Sequence, residues 1–128
     1  MDRGALRRRL ALGTAALTAS GLLAVATPDA AEAAASCAGR VVGTLPFATG
    51  SVSVHRRGGY VCAVTTPAHP GARRTMSVGV QARGGRPVVD TGKYEDRAGP
   101  VTVHAGQRCV RVTGRVGGGS VSSGWILC

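Results

Sequence analysis

The chain has 128 residues, a formal net charge of +10 and only 3% aromatic residues. Its length allows a single domain. The one long apolar stretch, Leu10 to Ala26, is interrupted by threonine, serine and glycine. It falls short of the roughly 20 apolar residues that a permanent transmembrane helix needs. Length and hydropathy therefore exclude a multi-domain or multi-span protein, and they predict one soluble domain without a transmembrane anchor.

The N-terminal segment has the three parts of a secretory signal peptide. Arg7-Arg8-Arg9 precedes the apolar stretch, and Ala31-Glu32-Ala33 fits the A-x-A cleavage rule. We predict that residues 1–33 are a signal peptide cleaved after Ala33, and that residues 34–128 are the secreted domain. Cleavage removes four arginines and three acidic residues, so the formal charge of the exported domain is still +9.

All four cysteines, Cys37, Cys62, Cys109 and Cys128, lie beyond the predicted cleavage site. An even number of cysteines in an exported domain is typical of disulfides. Pairing Cys37 with Cys62 and Cys109 with Cys128 closes two short loops, each worth about 3 kcal/mol in the chain-entropy model. We favour this pairing, although the spacing leaves two others open. A zinc site and an acylated Cys37 are the alternatives. No C-x-x-C spacing supports zinc, and we expect neither a metal nor a cofactor.

The exported domain is basic almost entirely through arginine. Eleven of its twelve cationic residues are arginine and the twelfth is Lys93, against only Asp90, Glu95 and Asp96. Such an imbalance implies non-specific attraction to anionic polymers of the cell wall, to nucleic acid or to a membrane surface. Specific nucleic-acid recognition is not expected. The alternative is that the charge only keeps an exported protein in solution.

Alternating valine and threonine between glycine-rich turns predicts an all-β domain of about seven strands. Few side chains are large, so the core must be built mainly from valine. Met76, Val78, Val80 and Ala82 should share its inner face. The candidate strands are 40–44, 52–55, 60–66, 75–82, 88–91, 93–95, 101–105, 108–113 and 121–128.

Three hairpins are predicted from these strands. Arg56–Gly59 should join 52–55 to 60–66, and Arg83–Arg86 should join 75–82 to 88–91. Gly106-Gln107 should join 101–105 to 108–113, which is the pairing that the pattern favours most. Leu45-Pro46 should end the first strand. The sheet must then close as a small disulfide-stabilised β-sandwich or barrel, because one apolar face has to be hidden and the edges protected.

In the candidate strand 108–113, Val110 and Val112 share one face, while Cys109, Arg111 and Thr113 share the other. The disulfide of Cys109 should therefore fasten the last strand across an outer face, unless a β-bulge changes the phase.

Glu95, His104 and Arg97 are the residues that could form an acid–base site of the kind that microbial ribonucleases use. His104, however, falls on the solvent side of its strand, and no nucleophile elbow or phosphate loop is present. We therefore expect that the protein is not an enzyme. A basic secreted hydrolase or nuclease therefore ranks third among the possible functions, after the two that the next paragraphs describe.

The segment Pro67–Thr75 is a proline-stiffened loop that carries two adjacent arginines. Arg73 or Arg74 could enter the acidic pocket of a trypsin-like protease, which makes a small secreted protease inhibitor the second alternative. No cysteine flanks this loop to hold it rigid, and such inhibitors depend on preorganisation. The loop could equally be an ordinary connection between strands.

Five segments of the chain, together with the order of the four cysteines, resemble the spore-associated protein A family of small secreted actinobacterial proteins. These segments are Tyr60–Thr65, Asp90–Tyr94, Ala98–Val101, Cys109–Val112 and Trp125–Cys128. The resemblance implies a non-enzymatic structural role on the spore or cell exterior and assigns no catalytic residues. Asp96-Arg97 and Arg111-Val112 stand where aromatic residues are expected in the family, so a shared aromatic binding surface is not implied.

Overall fold

The computed structural model describes residues 36–128; the predicted signal peptide and its cleavage site after Ala33 lie outside the described residues. The described chain contains eight β-strands and no helix. They are β1 Arg40–Phe47, β2 Gly50–Arg57, β3 Tyr60–Pro67, β4 Arg74–Ala82, β5 Val88–Tyr94, β6 Ala98–His104, β7 Val110–Val116 and β8 Gly119–Ile126. Two antiparallel sheets form, in the orders β1-β2-β3-β6 and β5-β4-β7-β8. The predicted all-β class is confirmed, and the arrangement is sandwich-like.

The core lies between the two sheets and consists mostly of valine. Across residues 36–128, ten of the sixteen buried hydrophobic residues are valine. Met76, Val78, Val80 and Ala82 of β4 all face inward, at most 4% exposed. The period-two alternation of the sequence therefore predicted the buried face of this strand correctly.

Strand boundaries differ from the prediction in most strands; for example, β6 begins at Ala98, three residues before the predicted start, and β7 ends at Val116 instead of residue 113. β1 continues through Leu45-Pro46 to Phe47, because it is an edge strand, where a proline without an N–H group is tolerated. Lys93 and Tyr94 belong to the end of β5 instead of forming a separate strand. Because candidates 88–91 and 93–95 form one strand, the nine candidate segments become eight strands in the described chain, against a predicted total of about seven.

The predicted hairpins between β2 and β3 and between β4 and β5 are present. The predicted pairing of residues 101–105 with 108–113 is wrong: β6 pairs with β3, while β7 pairs with β4 and β8 in the other sheet. The connection through Ala105 crosses between the sheets. The amides of Ala105 and Gly106 both donate to the carbonyl of Gly59, at 2.8 and 2.9 Å. Alternation encodes which face is buried but not which strand lies alongside.

Both disulfides have the favoured pairing. Cys37–Cys62 fastens the segment before β1 to β3, and Cys109–Cys128 fastens the segment after β8 to the residue that precedes β7. Two disulfides in so small a domain indicate an extracellular or otherwise oxidising compartment. No helix long and apolar enough to cross a membrane occurs in residues 36–128.

Candidate functional site

The connections of the two sheets gather arginine at one end of the sandwich. The β2–β3 turn, the β4–β5 turn and the β6–β7 connection meet there, beside the start of β1 and the end of β8. This end, termed the arginine end, carries Arg40, Arg56, Arg57, Arg83, Arg86, Arg108 and Arg111. Within residues 36–128, no aspartate or glutamate side chain lies at this end.

Hydrogen bonds to backbone carbonyls hold two of these arginines in place. Arg108 donates to the carbonyl oxygens of His104 at 2.8 Å, Ala105 at 3.1 Å and Arg83 at 3.4 Å. Arg56 donates to the carbonyl of Gly106 at 2.7 Å. These bonds tie the turns of both sheets together without neutralising the cationic charge. Arg40 and Arg56 also line an open cavity of about 520 Å³, together with Gly58.

A second group at the arginine end consists of Arg83, Arg111 and Trp125 and is termed the tryptophan cluster. The guanidinium carbon of Arg111 lies 4.4 Å from the centroid of the indole ring, and that of Arg83 lies 5.7 Å from it. Both distances are within the range of cation–π attraction. The sole tryptophan of the chain, which is half-buried, therefore has two cations against its ring.

A β-bulge in β8 directs Trp125 to the outer face of its sheet. Thr113 pairs with Ser122 and Arg111 pairs with Trp125, so β8 has one more residue than β7 between these pairs. Val121 packs against the core, and strict alternation from it would turn Trp125 inward as well. The extra residue reverses the phase. Trp125 consequently lies beside Arg111 on the outer face.

The carboxylates lie elsewhere. Asp90 accepts hydrogen bonds from the Tyr94 hydroxyl at 2.6 Å and from the Gly99 amide at 2.8 Å, so both of its oxygens are used within the fold. The hydrogen bond to Asp90, followed by desolvation and by the negative charge of Asp90, raises the pKa of Tyr94 above its ordinary value. Glu95 and Asp96 follow β5 at the opposite end of the sandwich. The acidic side chains of residues 36–128 therefore lie outside the arginine end, whereas cations such as Arg73 and Lys93 also occur at the opposite end.

The Pro67–Thr75 loop, predicted as a binding loop, lies at that opposite end. The Arg73 side chain is 68% exposed and forms an ion pair with Glu95 at 4.0 Å. Arg74 begins β4, and its guanidinium folds back onto the loop to donate to the carbonyls of Ala72 and His69. Of the two predicted contact residues, Arg73 is available to a partner, whereas Arg74 holds the loop.

The candidate acid–base residues are not brought together. Glu95 precedes β6 and His104 ends it, so the length of a seven-residue strand, about 20 Å, separates them. His104 is exposed and makes an edge-on contact with the ring of Tyr60, with centroids 4.9 Å apart. No cluster of three or more metal-ligating side chains occurs among residues 36–128, and all four cysteines are in disulfides.

The sequence reasoning did not identify the tryptophan cluster. The signal was nevertheless present, because Arg111 and Trp125 lie two and three residues inside the favoured Cys109–Cys128 pair. Joining the cysteines brings the arginine and the tryptophan onto neighbouring strands. The contribution of Arg83 could not be read in this way, since it comes from a different hairpin.

Comparison with known proteins does not supply a relative. No family model, no curated protein and no solved structure matches the chain. The functional argument therefore rests on the residues and their geometry.

Proposed function

We propose that this chain is an exported, non-enzymatic protein held on the outside of the cell or spore by anionic polymers of the envelope. The observation that carries the proposal is the arginine end, where seven cations converge without an aspartate or glutamate side chain. A uniformly basic surface would serve solubility equally well. Concentration of the charge at one end creates a local positive potential that attracts polyanions. The resemblance to a family of spore-exterior proteins points to the same location.

The proposal is tested by retention on purified cell wall as a function of salt. Electrostatic screening shortens from about 10 Å at 0.1 M salt to about 3 Å at 1 M, so we expect bound protein to be released over this range. A triple variant with Arg40, Arg57 and Arg86 changed to glutamine should elute at clearly lower salt than the wild type.

The matched control changes Arg73, Lys93 and Arg115 to glutamine, which removes the same charge away from the arginine end. We expect this variant to elute close to the wild type. Equal losses in the two triple variants would show that net charge alone acts, and retention that ignores salt would refute the electrostatic mechanism.

A protease inhibitor remains the second candidate, because the Pro67–Thr75 loop has internal support that the sequence did not suggest. The Ala68 amide donates to the Thr49 carbonyl at 2.9 Å and the Gly71 amide donates to the Glu95 carbonyl at 3.3 Å. With the two bonds from Arg74, these contacts preorganise the loop without a flanking disulfide. Arg73 would then be the residue that enters the protease.

A trypsin inhibition assay separates this candidate from the first. Inhibition by the wild type that is lost in Arg73→Ala and only weakened in Arg74→Ala would support it. Rapid cleavage after Arg73 without inhibition would identify the segment as an ordinary exposed loop.

A further inference from the structure

We infer that the tryptophan cluster is a binding site for the phosphate groups of a phosphodiester-linked polymer. The inference rests on the proposed retention on anionic polymers and names both the contact residues and the chemical class of the polymer. It concerns Arg83, Arg111 and Trp125, which are not changed in the retention variants above.

Two guanidinium groups in the cluster are positioned but have no hydrogen-bond acceptor. Arg83 and Arg111 contact the indole ring, yet within residues 36–128 their side chains make no hydrogen bond and no ion pair. A guanidinium beside an aromatic ring still has N–H groups at its edge. Both guanidinium groups lie beside the same indole ring. A single flexible polymer can therefore contact both of them.

The backbone around Arg83 is fixed on several sides. Its amide donates to the carbonyl of Cys109 at 2.9 Å, and its carbonyl accepts from Arg108 at 3.4 Å. The same turn is closed by the Gly85 amide, which donates to the Ala82 carbonyl at 2.8 Å, and by Gln81, which donates to the Gly85 carbonyl at 3.0 Å. A turn held in this way loses little conformational entropy when a ligand binds.

The opposite wall of the cluster is fixed as well. Cys109–Cys128 joins the strands that carry Arg111 and Trp125. Within the bulge, the hydroxyl of Ser123 accepts a hydrogen bond from the Val112 amide at 2.9 Å and donates to the Gly124 carbonyl at 2.7 Å. The site is therefore built before any ligand arrives.

The composition of the cluster selects the ligand. Arginine presents a planar fork of N–H donors that matches the oxygens of phosphate, unlike the point charge of lysine. The ring of Trp125 already has two guanidinium groups beside it, and these compete with a nucleobase or a sugar for its faces. Recognition of the phosphates alone favours a base-free polymer such as a glycerol phosphate chain over nucleic acid.

The sole tryptophan makes the site directly observable. Purified protein is titrated at low salt with a glycerol phosphate oligomer while the emission of Trp125 is recorded. We expect a saturable change in emission, and an affinity about tenfold lower in Arg111→Gln, as charge-assisted hydrogen bonds to an oxyanion imply. Arg111→Lys keeps the charge but loses the fork, and it should lose most of the same affinity.

Arg115 provides the matched control, because it lies on the same strand and faces solvent like Arg111 but does not contact Trp125. Arg115→Gln should leave the affinity within about twofold of the wild type, as expected for a charge outside the site. Urea unfolding of each variant verifies that it is folded. Equal losses of affinity in Arg111→Gln and Arg115→Gln would refute a defined site, and so would an unchanged affinity in Arg111→Lys.

Two further ligands of matched charge test the chemical class. Polyglutamate should bind more weakly and without dependence on the arginine fork, and a single-stranded oligonucleotide should bind no more tightly than the glycerol phosphate oligomer. Tighter binding of either ligand would overturn the assignment to a base-free phosphodiester. Wall retention could depend on salt and on the arginine end while the titration leaves the emission of Trp125 unchanged. In that case the assignment of a phosphate site to the tryptophan cluster is wrong, and the proposed function stands.

Discussion

Thr65 is a buried polar side chain enclosed between the two sheets. It is fully buried in β3, and its hydroxyl has no hydrogen-bond partner within residues 36–128. On the facing strand β7, a Cβ atom added to Gly114 would lie 2.8 Å from that hydroxyl and 2.2 Å from a methyl group of Val52. The absence of a side chain at Gly114 therefore allows the sheets to meet around Thr65.

We predict that Thr65→Val stabilises the domain by about 1 kcal/mol, because it removes an unpaired buried hydroxyl while keeping the shape of the side chain. Urea unfolding measures the difference. The adjacent Thr66→Val is the control, since Thr66 is exposed and its hydroxyl only approaches that of Ser51, at 3.4 Å. A loss of stability in Thr65→Val would contradict the conclusion that this hydroxyl is unpaired.

Tyr94 couples the stability of the domain to alkaline pH. Its pKa is raised in the folded state, chiefly by the hydrogen bond to Asp90, so folding favours the protonated phenol. This stabilisation is fully present below the unfolded pKa of about 10 and is lost as the pH rises through the higher folded value.

We therefore predict that Tyr94→Phe lowers the melting temperature at pH 7 and reduces the loss of stability above pH 10. Thermal unfolding between pH 7 and 11 provides the measurement. Tyr60→Phe is the matched control, because Tyr60 is 55% exposed and does not contact Asp90. An alkaline transition that is identical in wild type and Tyr94→Phe would contradict the assignment.

At the level of the element, the bulge in β8 is the device that turns the tryptophan outward. Gly124 lies within it at φ 68°, a left-handed conformation that is unfavourable for residues with a Cβ atom. The Ser123 hydroxyl accepts a hydrogen bond from the amide of Val112, the β7 residue that lies opposite the bulge. The hydrogen bond of Ser123 and the backbone conformation of Gly124 thus set the direction of the Trp125 side chain.

We predict that Ser123→Ala and Gly124→Ala each destabilise the domain by about 1 kcal/mol or more, through an unpaired amide and a strained backbone respectively. Both should also alter the emission of Trp125. Ser122→Ala, at an exposed position of the same strand, should change neither property. Unaltered emission in all three variants would show that the bulge does not control the position of the ring.

At the level of the whole molecule, two short disulfide loops support a core that contains few large side chains. They enclose sequence separations of 25 and 19 residues. A domain of this size buries only about two-thirds of its unfolded surface, so covalent cross-links contribute a large share of its net stability.

Replacing Cys109 and Cys128 together by serine should cost about 3 kcal/mol in urea unfolding and lower the affinity for the glycerol phosphate oligomer. Replacing Cys37 and Cys62 should cost a similar amount of stability but leave that affinity unchanged, because this pair lies away from Trp125. Loss of binding in both double variants would indicate a general loss of structure.

The sequence by itself determined the all-β class, the valine core, the inward face of β4 and the disulfide pairing favoured by loop length. These properties depend on local alternation and on short sequence separations. Only the tertiary structure decided that β6 and β7 lie in different sheets, that the bulge in β8 turns Trp125 outward, and that arginines from three connections converge at one end. Alternation specifies the face of a strand but not its neighbour, and convergence depends on contacts between residues far apart in the chain.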